Sequence, residues 1–290
     1  MTERFNAIDL TQIPAPDALE TLSFETLRSA ILADGVARMN ANGVAYNVNV
    51  LESDPFVALV EAYAYRELNL RARINDAVRA VLLPSSWGSN LDNIGAPFDT
   101  PRNAGESDGA YQQRIHLAPD AFSNAGPTGG YEYWARTILP TAVDASAVMT
   151  TPGTVRVAVL YPAPNPVPPA ADLQTLAQFF ATDDSKPLTD VVAVTGPGIV
   201  NVAITAISEL FPGPDQATVQ ASQTTALNTF LTASRKLGFT LARSAIIAAL
   251  QQGGVKSVNL TSPPADVAID ASSVFNVTGI SLNIAPNRVS

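Results

Sequence analysis

The side chains of this 290-residue chain that can carry chemistry are few, and they do not gather into a working set. His116 is the only histidine and there is no cysteine. One imidazole cannot fill a His/Cys zinc site or form a Cys–His pair. A Ser–His–Asp arrangement would need a strand-to-helix turn that presents its serine, and is set aside. Gly126–Gly130 (GPTGG) has the look of a phosphate loop but lacks the G-K-[ST] that reaches phosphates and magnesium, so it is expected to be a turn feeding a helix. Asp183, Asp184 and Asp190, with Glu52 and Asp54, supply carboxylates for hydrolysis or calcium, but without D-x-D-x-D-G spacing they are expected to be caps and solvated turns. Trp87, Tyr131, Tyr133 and Trp134 are either a stacking platform for a ligand or anchors at domain or subunit contacts; the second is the expectation. No catalytic residue, cofactor site or metal site is assigned.

The elements that position these residues follow from periodicity. Residues 1–20 carry Ile8, Leu10 and Ile13, then Pro14 and Pro16, which predict an extended arm. The arm either folds back on its own domain or docks on a neighbour. A helical pattern runs from Leu19 to about Asn40 and breaks at Gly43–Asn49. Asp54 is a natural N-cap and Pro55 suits a first helical position. Phe56, Leu59, Val60, Tyr63, Leu70, Ile74, Ala77, Val78 and Val81 then recur at helical spacing, Glu67 and Arg71 form an i,i+4 pair, and Pro84 ends the run. A helix from 55 to 83 would be roughly 43 Å long at 1.5 Å per residue. It is a domain spine or one member of an intersubunit bundle.

Short helices are expected at Glu106–Leu117, capped by Ser107, and at Tyr131–Leu139 before Pro140. The period then changes. Val143–Met149 and Thr154–Leu160 flank a Thr-Pro-Gly turn and predict a hairpin. A stiff proline-rich segment (Pro162–Pro169) leads to a helix with Leu173, Leu176, Ala177 and Phe180 on one side. Strands follow at Leu188–Thr195 and Ile199–Leu210, a helix after Pro214, a short one at Ser244–Gln252, and strands at Val255–Leu260 and Val277–Ile284; residues 285–290 are expected to be loose. The fold class is α+β: a helical amino-terminal region with one long helix, then tandem small α/β sandwiches. The parts are an arm (1–20), a helical region (21–102), a central domain (103–197) and a carboxy-terminal domain (198–290). The second sandwich is expected to repeat part of the first.

Composition narrows the function. A net charge of −9 with no basic run speaks against nucleic acid as a partner. Hydrophobic residues at 47% against 15% charged allow a sizeable core and leave a surface poor in charge. The absence of cysteine suits a reducing compartment. The amino terminus lacks the pattern of a secretory signal, and no apolar run has the length of a membrane span, so no membrane partner is expected.

Four phrases stand in fixed order between Leu91 and Leu160: LDNIGAPFDTPR, ESDGAYQQRI, AGPTGGYEYWAR and PGTVRVAVL. With IDLTQIPAPD and the run from Leu51 to Leu83 upstream, and RKLGFTLARSAIIAAL and GGVKSVNL downstream, the chain resembles the baseplate J-like family, in its shorter P2-like branch. That resemblance implies a wedge subunit of a contractile phage tail or tail-like particle, forming a ring around the central spike or hub and switching to trigger sheath contraction. It implies a virion location in the tail baseplate after assembly in the host cytoplasm. The implied partners are a second copy of the chain (a dimer within each wedge), a small lysozyme-like wedge protein, a tail-fibre-attaching wedge protein and the hub. The residues expected at partner contacts are Ile8, Leu10, Ile13 and Pro14 of the arm, Phe56, Val60, Tyr63 and Leu70 of the long helix, and Trp87, Tyr131 and Trp134. A carbohydrate-active hydrolase using acidic pairs and a surface adhesin module are the alternatives.

Overall fold

The computed structural model describes residues 8–46, 53–123, 125–182 and 186–285. The chain divides into a helical unit, Ile8–Arg102, and an α/β unit that begins at Asn103. No helix among the described residues is long and apolar enough to cross a membrane.

Two long helices dominate the first unit. Helix α1 (Phe24–Ala41) starts where the Ser23 hydroxyl accepts the Thr26 N–H. Helix α2 (Pro55–Ala80) starts where Asp54 Oδ1 accepts the N–H groups of Phe56 (2.8 Å) and Val57 (3.3 Å), with Pro55 contributing no competing donor. At 26 residues it is about 39 Å long. It stops at Ala80, short of the expected Leu83: Leu82 is extended, and Pro84, which has no N–H to donate to the Ala80 carbonyl, sits in a separate turn, Leu83–Ser85. Val57 and Val60 pack on Leu32, with Phe56 and Ile31 half-buried beside them. A third, short helix, α3 (Ser89–Gly95), buries Leu91.

The second unit holds two three-stranded mixed sheets. In the central one, β1 (Asp144–Thr151) and β2 (Thr154–Leu160) form the expected hairpin, with Gly153 at φ +77° in its turn. Helix α6 (Ala170–Phe180) crosses over to β3 (Val191–Thr195), which pairs parallel to β2. Helices α4 (Asp108–Ala121) and α5 (Thr128–Ile138) pack on each other, and α5 lies on β1. Tyr131, Ala135, Val157, Val159, Leu176 and Phe180 make the core.

In the other sheet the long strand β4 (Gly198–Leu210) is central. It is flanked by antiparallel β5 (Val255–Ser262) and parallel β6 (Ser273–Ile284). Val202, Ile204 and Ala206 alternate inward, as their period of two predicts. Helices α7 (Gln216–Ala233) and α8 (Arg243–Leu250) contribute Leu227, Leu231, Ile246 and Leu250 to this core. The expected repeat does not extend to connectivity. The first sheet is ordered along the chain, whereas in the second the first strand lies in the middle. The fold is α+β with a helical amino-terminal region.

The two sandwiches are joined rather than strung. Ala158 and Leu160 of β2 meet Leu237 and Val274 in a small shared core. Asp144, 3% exposed, accepts Arg136 Nη2 (2.8 Å) with one oxygen and the backbone N–H of Leu237 (2.8 Å) with the other.

Candidate interaction surfaces

Helix α2 has two apolar sides, and the smaller residues are the ones inside. Val57, Val60 and Ala64 are buried, while Leu59 (58% exposed), Tyr63 (64%), Leu70 (62%), Ile74 (52%) and Val81 (73%) face solvent. Small side chains let α1 approach closely; the bulky ones lie on an adjacent side, about 100° further round the helix. Of the four expected contact residues here, Tyr63 and Leu70 are on the outer side, Val60 is in the helix–helix core and Phe56 is half-buried against it.

The base of the arm rests on the chain's own α2. Glu20 exchanges two hydrogen bonds with buried Asn75, its N–H donating to Oδ1 (3.1 Å) and its carbonyl accepting from Nδ2 (2.9 Å). Its carboxylate accepts from Arg71, which also holds Glu67 in the expected i,i+4 pair. Further out, a short turn at Leu10–Gln12 lies near the Leu83–Ser85 turn. Leu10 is half-buried, whereas Ile8, Ile13 and Pro14 are exposed.

The four phrases turn out to be packing devices. In the first, Leu91 is buried and Asp92 pairs with Arg102, whose Nη2 donates to the Gly88 carbonyl. In the second, Ser107 caps α4 and Glu106 receives Arg114 through two bonds (2.9 and 2.7 Å), both side chains nearly sealed from water. In the third, Gly129 and Gly130 form the first turn of α5 rather than the expected loop. A Cβ on Gly129 would overlap the Asp120 carboxylate, and one on Gly130 would stand 2.9 Å from the Asp120 carbonyl oxygen. Gly130, which faces backbone, lets α4 and α5 touch. In the fourth, the hairpin turn leads into the buried strand β2.

The aromatic residues do not form one platform. Tyr131 (3% exposed) and Tyr133 (4%) are core residues, and the Tyr131 hydroxyl donates to Asp190 at 2.5 Å. Burial, and then that carboxylate, push the Tyr131 phenol above its usual range. Trp134 is half-buried against Tyr133 and Phe179, at ring separations of 5.1 and 5.2 Å. Trp87 stands in the helical unit, 46% exposed.

The candidate chemistry is absorbed in the same way. Gly105–Gly109 (GESDG) has the spacing of a nucleophile elbow, but the first strand of the described residues begins only at Asp144. The Ser107 hydroxyl serves as a helix cap, and His116 lies nine residues further along that helix. Asp54 caps α2 and accepts the Tyr46 hydroxyl at 2.6 Å, which holds its carboxyl below the usual range. Glu52, Asp183 and Asp184, and the expected loose end after Ala285, lie outside the described residues. Sequence reasoning did not single out Asp144, Arg114 or Glu106. Their signal is weak: a carboxylate opening an apolar strand, and an acid–base pair two helical turns apart.

The motifs of this chain serve its own packing, and its longest helix keeps large apolar side chains outside. The chain belongs to the Baseplate J-like family, whose role is structural, in phage-tail baseplates. The family's N-terminal domain matches residues 52–106, its central domain 123–196 and its C-terminal domain 200–283. Baseplate protein J of Escherichia phage P2 is 35% identical over 283 residues, covering 91% of this chain and 93% of that protein. A cryo-EM structure of the anti-feeding prophage (AFP) baseplate is similar over 61% of this chain at 18% identity and a TM-score of 0.43. This chain spans 42% of that solved chain.

Proposed function

We propose that this protein is a baseplate wedge subunit that works by docking to its neighbours. It acts in a contractile tail or tail-like particle, assembled in the host cytoplasm. The carrying observation is the outer side of α2, where Leu59, Tyr63, Leu70, Ile74 and Val81 stand exposed on a long, well-capped helix. Obligate subunit interfaces are more apolar than ordinary surface, and this side of the helix has that character. In this reading the helical region (21–102) is the wedge core, and α2 joins an intersubunit bundle. The arm supports it: its base is fixed on α2, and exposed Ile8, Ile13 and Pro14 reach a neighbouring subunit. Trp87 is an anchor of the same kind. The central (103–197) and carboxy-terminal (198–290) domains, tied through Asp144 and Leu237, make lateral contacts between wedges, and half-buried Trp134 is a candidate anchor there.

The partners in this reading are a second copy of the chain, a small lysozyme-like wedge protein, a fibre-attaching wedge protein and the hub. Contraction would be triggered as the ring passes between two packings that differ by a few kcal/mol. No enzymatic step is assigned to the chain. The test is electron microscopy of particles made without it. Tails lacking a baseplate are expected; complete baseplates on contractile tails would refute the reading. Deleting residues 1–20 tests the arm separately, because wedge complexes that form at undiminished affinity would remove it as a docking element.

A further inference from the structure

The sheet of the carboxy-terminal domain ends in a strand whose outer edge is open. Strand β6 (SVFNVTGISLNI) holds no charged residue and no proline, the usual guards of an edge. The N–H and C=O of one residue point the same way from a strand, and the direction alternates between residues. Two contacts fix which residues point outward. The Ser273 carbonyl accepts the Gly238 N–H (2.9 Å), and the Leu282 carbonyl accepts Gln220 Nε2 of α7 (2.6 Å). Between them the register slips at Thr278, because Val202 faces Val277 but Ala203 faces Gly279. Counted through that bulge, the outward residues are Phe275, Val277 and Ile280, and their edge groups have no partner among the described residues.

Helix α7 runs beside this edge, and the two enclose a groove of about 410 Å³ with Leu231, Phe275, Val277 and Ile280 on its apolar walls. Arg235, just beyond the end of α7, stands half-buried in the same groove with no ion pair among the described residues. The gap between the two tethered carbonyls fits about five residues of extended chain. Such a chain would meet backbone donors and acceptors on one side, an apolar slot on the other, and one cation near the Ser273 end. We propose that the groove takes an extended segment of another polypeptide, which adds to β6 as a fourth strand. It sends alternate apolar side chains beside α7 and sets an Asp or Glu against Arg235. β6 itself offers no carboxylate, so a second copy of this strand would leave the arginine unmatched. The inference concerns a different surface from α2 and does not depend on it.

The experiment uses the full chain and labelled nine-residue peptides of alternating valine and serine, with the first or the last valine replaced by glutamate or by lysine. Fluorescence anisotropy is expected to show one glutamate peptide binding about tenfold more tightly than its lysine counterpart. Arg235→Glu, with an unchanged far-UV CD spectrum, is expected to reverse that preference. N-methylation of the valines or of the serines separates strand addition from apolar contact alone. Only alternate N–H groups meet β6, so one methylated series should lose binding and the other keep it. No binding of any peptide, an unreversed preference, or equal binding by both methylated series overturns the proposal. So does sedimentation showing self-association that Ile280→Lys, at an exposed edge position, abolishes, since β6 would then pair with a second copy.

Discussion

The Asp144 carboxylate accepts the backbone N–H of Leu237 at 2.8 Å, 93 residues further along the chain, from a position sealed against water. Its other oxygen holds Arg136 Nη2 and the N–H of Ala145. One side chain therefore pins α5, β1 and the carboxy-terminal domain together. Asp144→Ala would strand a mostly buried guanidinium and a buried N–H, at a cost of about 3–5 kcal/mol. Urea unfolding is the measurement, and a loss below about 1 kcal/mol would show that the pin contributes little.

The buried pair Glu106–Arg114 invites a double substitution. Arg114→Ala leaves the nearly sealed Glu106 carboxylate without its cation and should cost about 3–5 kcal/mol. Glu106→Leu with Arg114→Met replaces both charges by apolar volume and should recover most of that loss. If the double variant is as unstable as the single one, the pair's role is more than mutual neutralisation.

Two adjacent glycines should behave differently. At Gly130 a methyl group meets a backbone carbonyl, so Gly130→Ala must spread α4 and α5 and is expected to cost about 1–3 kcal/mol. At Gly129 it meets the end of the Asp120 side chain, which can turn away, and the helical gain of alanine, about 1 kcal/mol, offsets the rest. Equal thermal shifts for both variants would contradict this.

Tyrosine ionisation reports the Tyr–Asp pairs. Partial burial, then the Asp172 carboxylate at 2.7 Å, push the Tyr161 phenol from 10.0 to about 12; desolvation and Asp54 do the same for Tyr46. Raised values contribute stability that is fully present below pH 10 and lost as pH rises through about 12. The carboxylates run the other way. Burial opposes ionisation of Asp270, but the Ser272 and Ser273 hydroxyls and the Arg156 charge outweigh it, so its value lies below 3.8, as does that of Asp54. Their contribution is present above pH 3.8 and lost as pH falls through the folded values. Absorbance at 295 nm should show late ionisation steps from Tyr46, Tyr131 and Tyr161, with Tyr161→Phe removing one of them. A single common transition near the ordinary value would refute the pairs.

Much of this architecture was legible because local chemistry and tertiary structure agree. Asp54-Pro55 marks the start of α2, Ser107 caps α4, and the Pro152-Gly153 turn makes its hairpin. Legibility failed where one residue type serves two purposes. Glycine signals a turn and a close helix contact equally, so Gly129–Gly130 looked like a loop. Apolar spacing shows that α2 is a helix, but both its sides are apolar, and nothing local tells which one α1 covers. The buried choice, Val57 and Val60 against Leu32, follows from the fit between two helices. Strand order in the second sheet was hidden because it is decided by long-range pairing.

The most direct test of the account separates folding from assembly on α2. Leu59→Asp with Leu70→Asp changes only exposed side chains and should shift stability by less than about 0.5 kcal/mol. Light scattering after size exclusion, on each form co-expressed with the other tail proteins, is the measurement. The account predicts that the unaltered chain elutes in a multi-protein complex and the folded variant elutes alone. A variant that enters the complex as readily as the unaltered chain would contradict it.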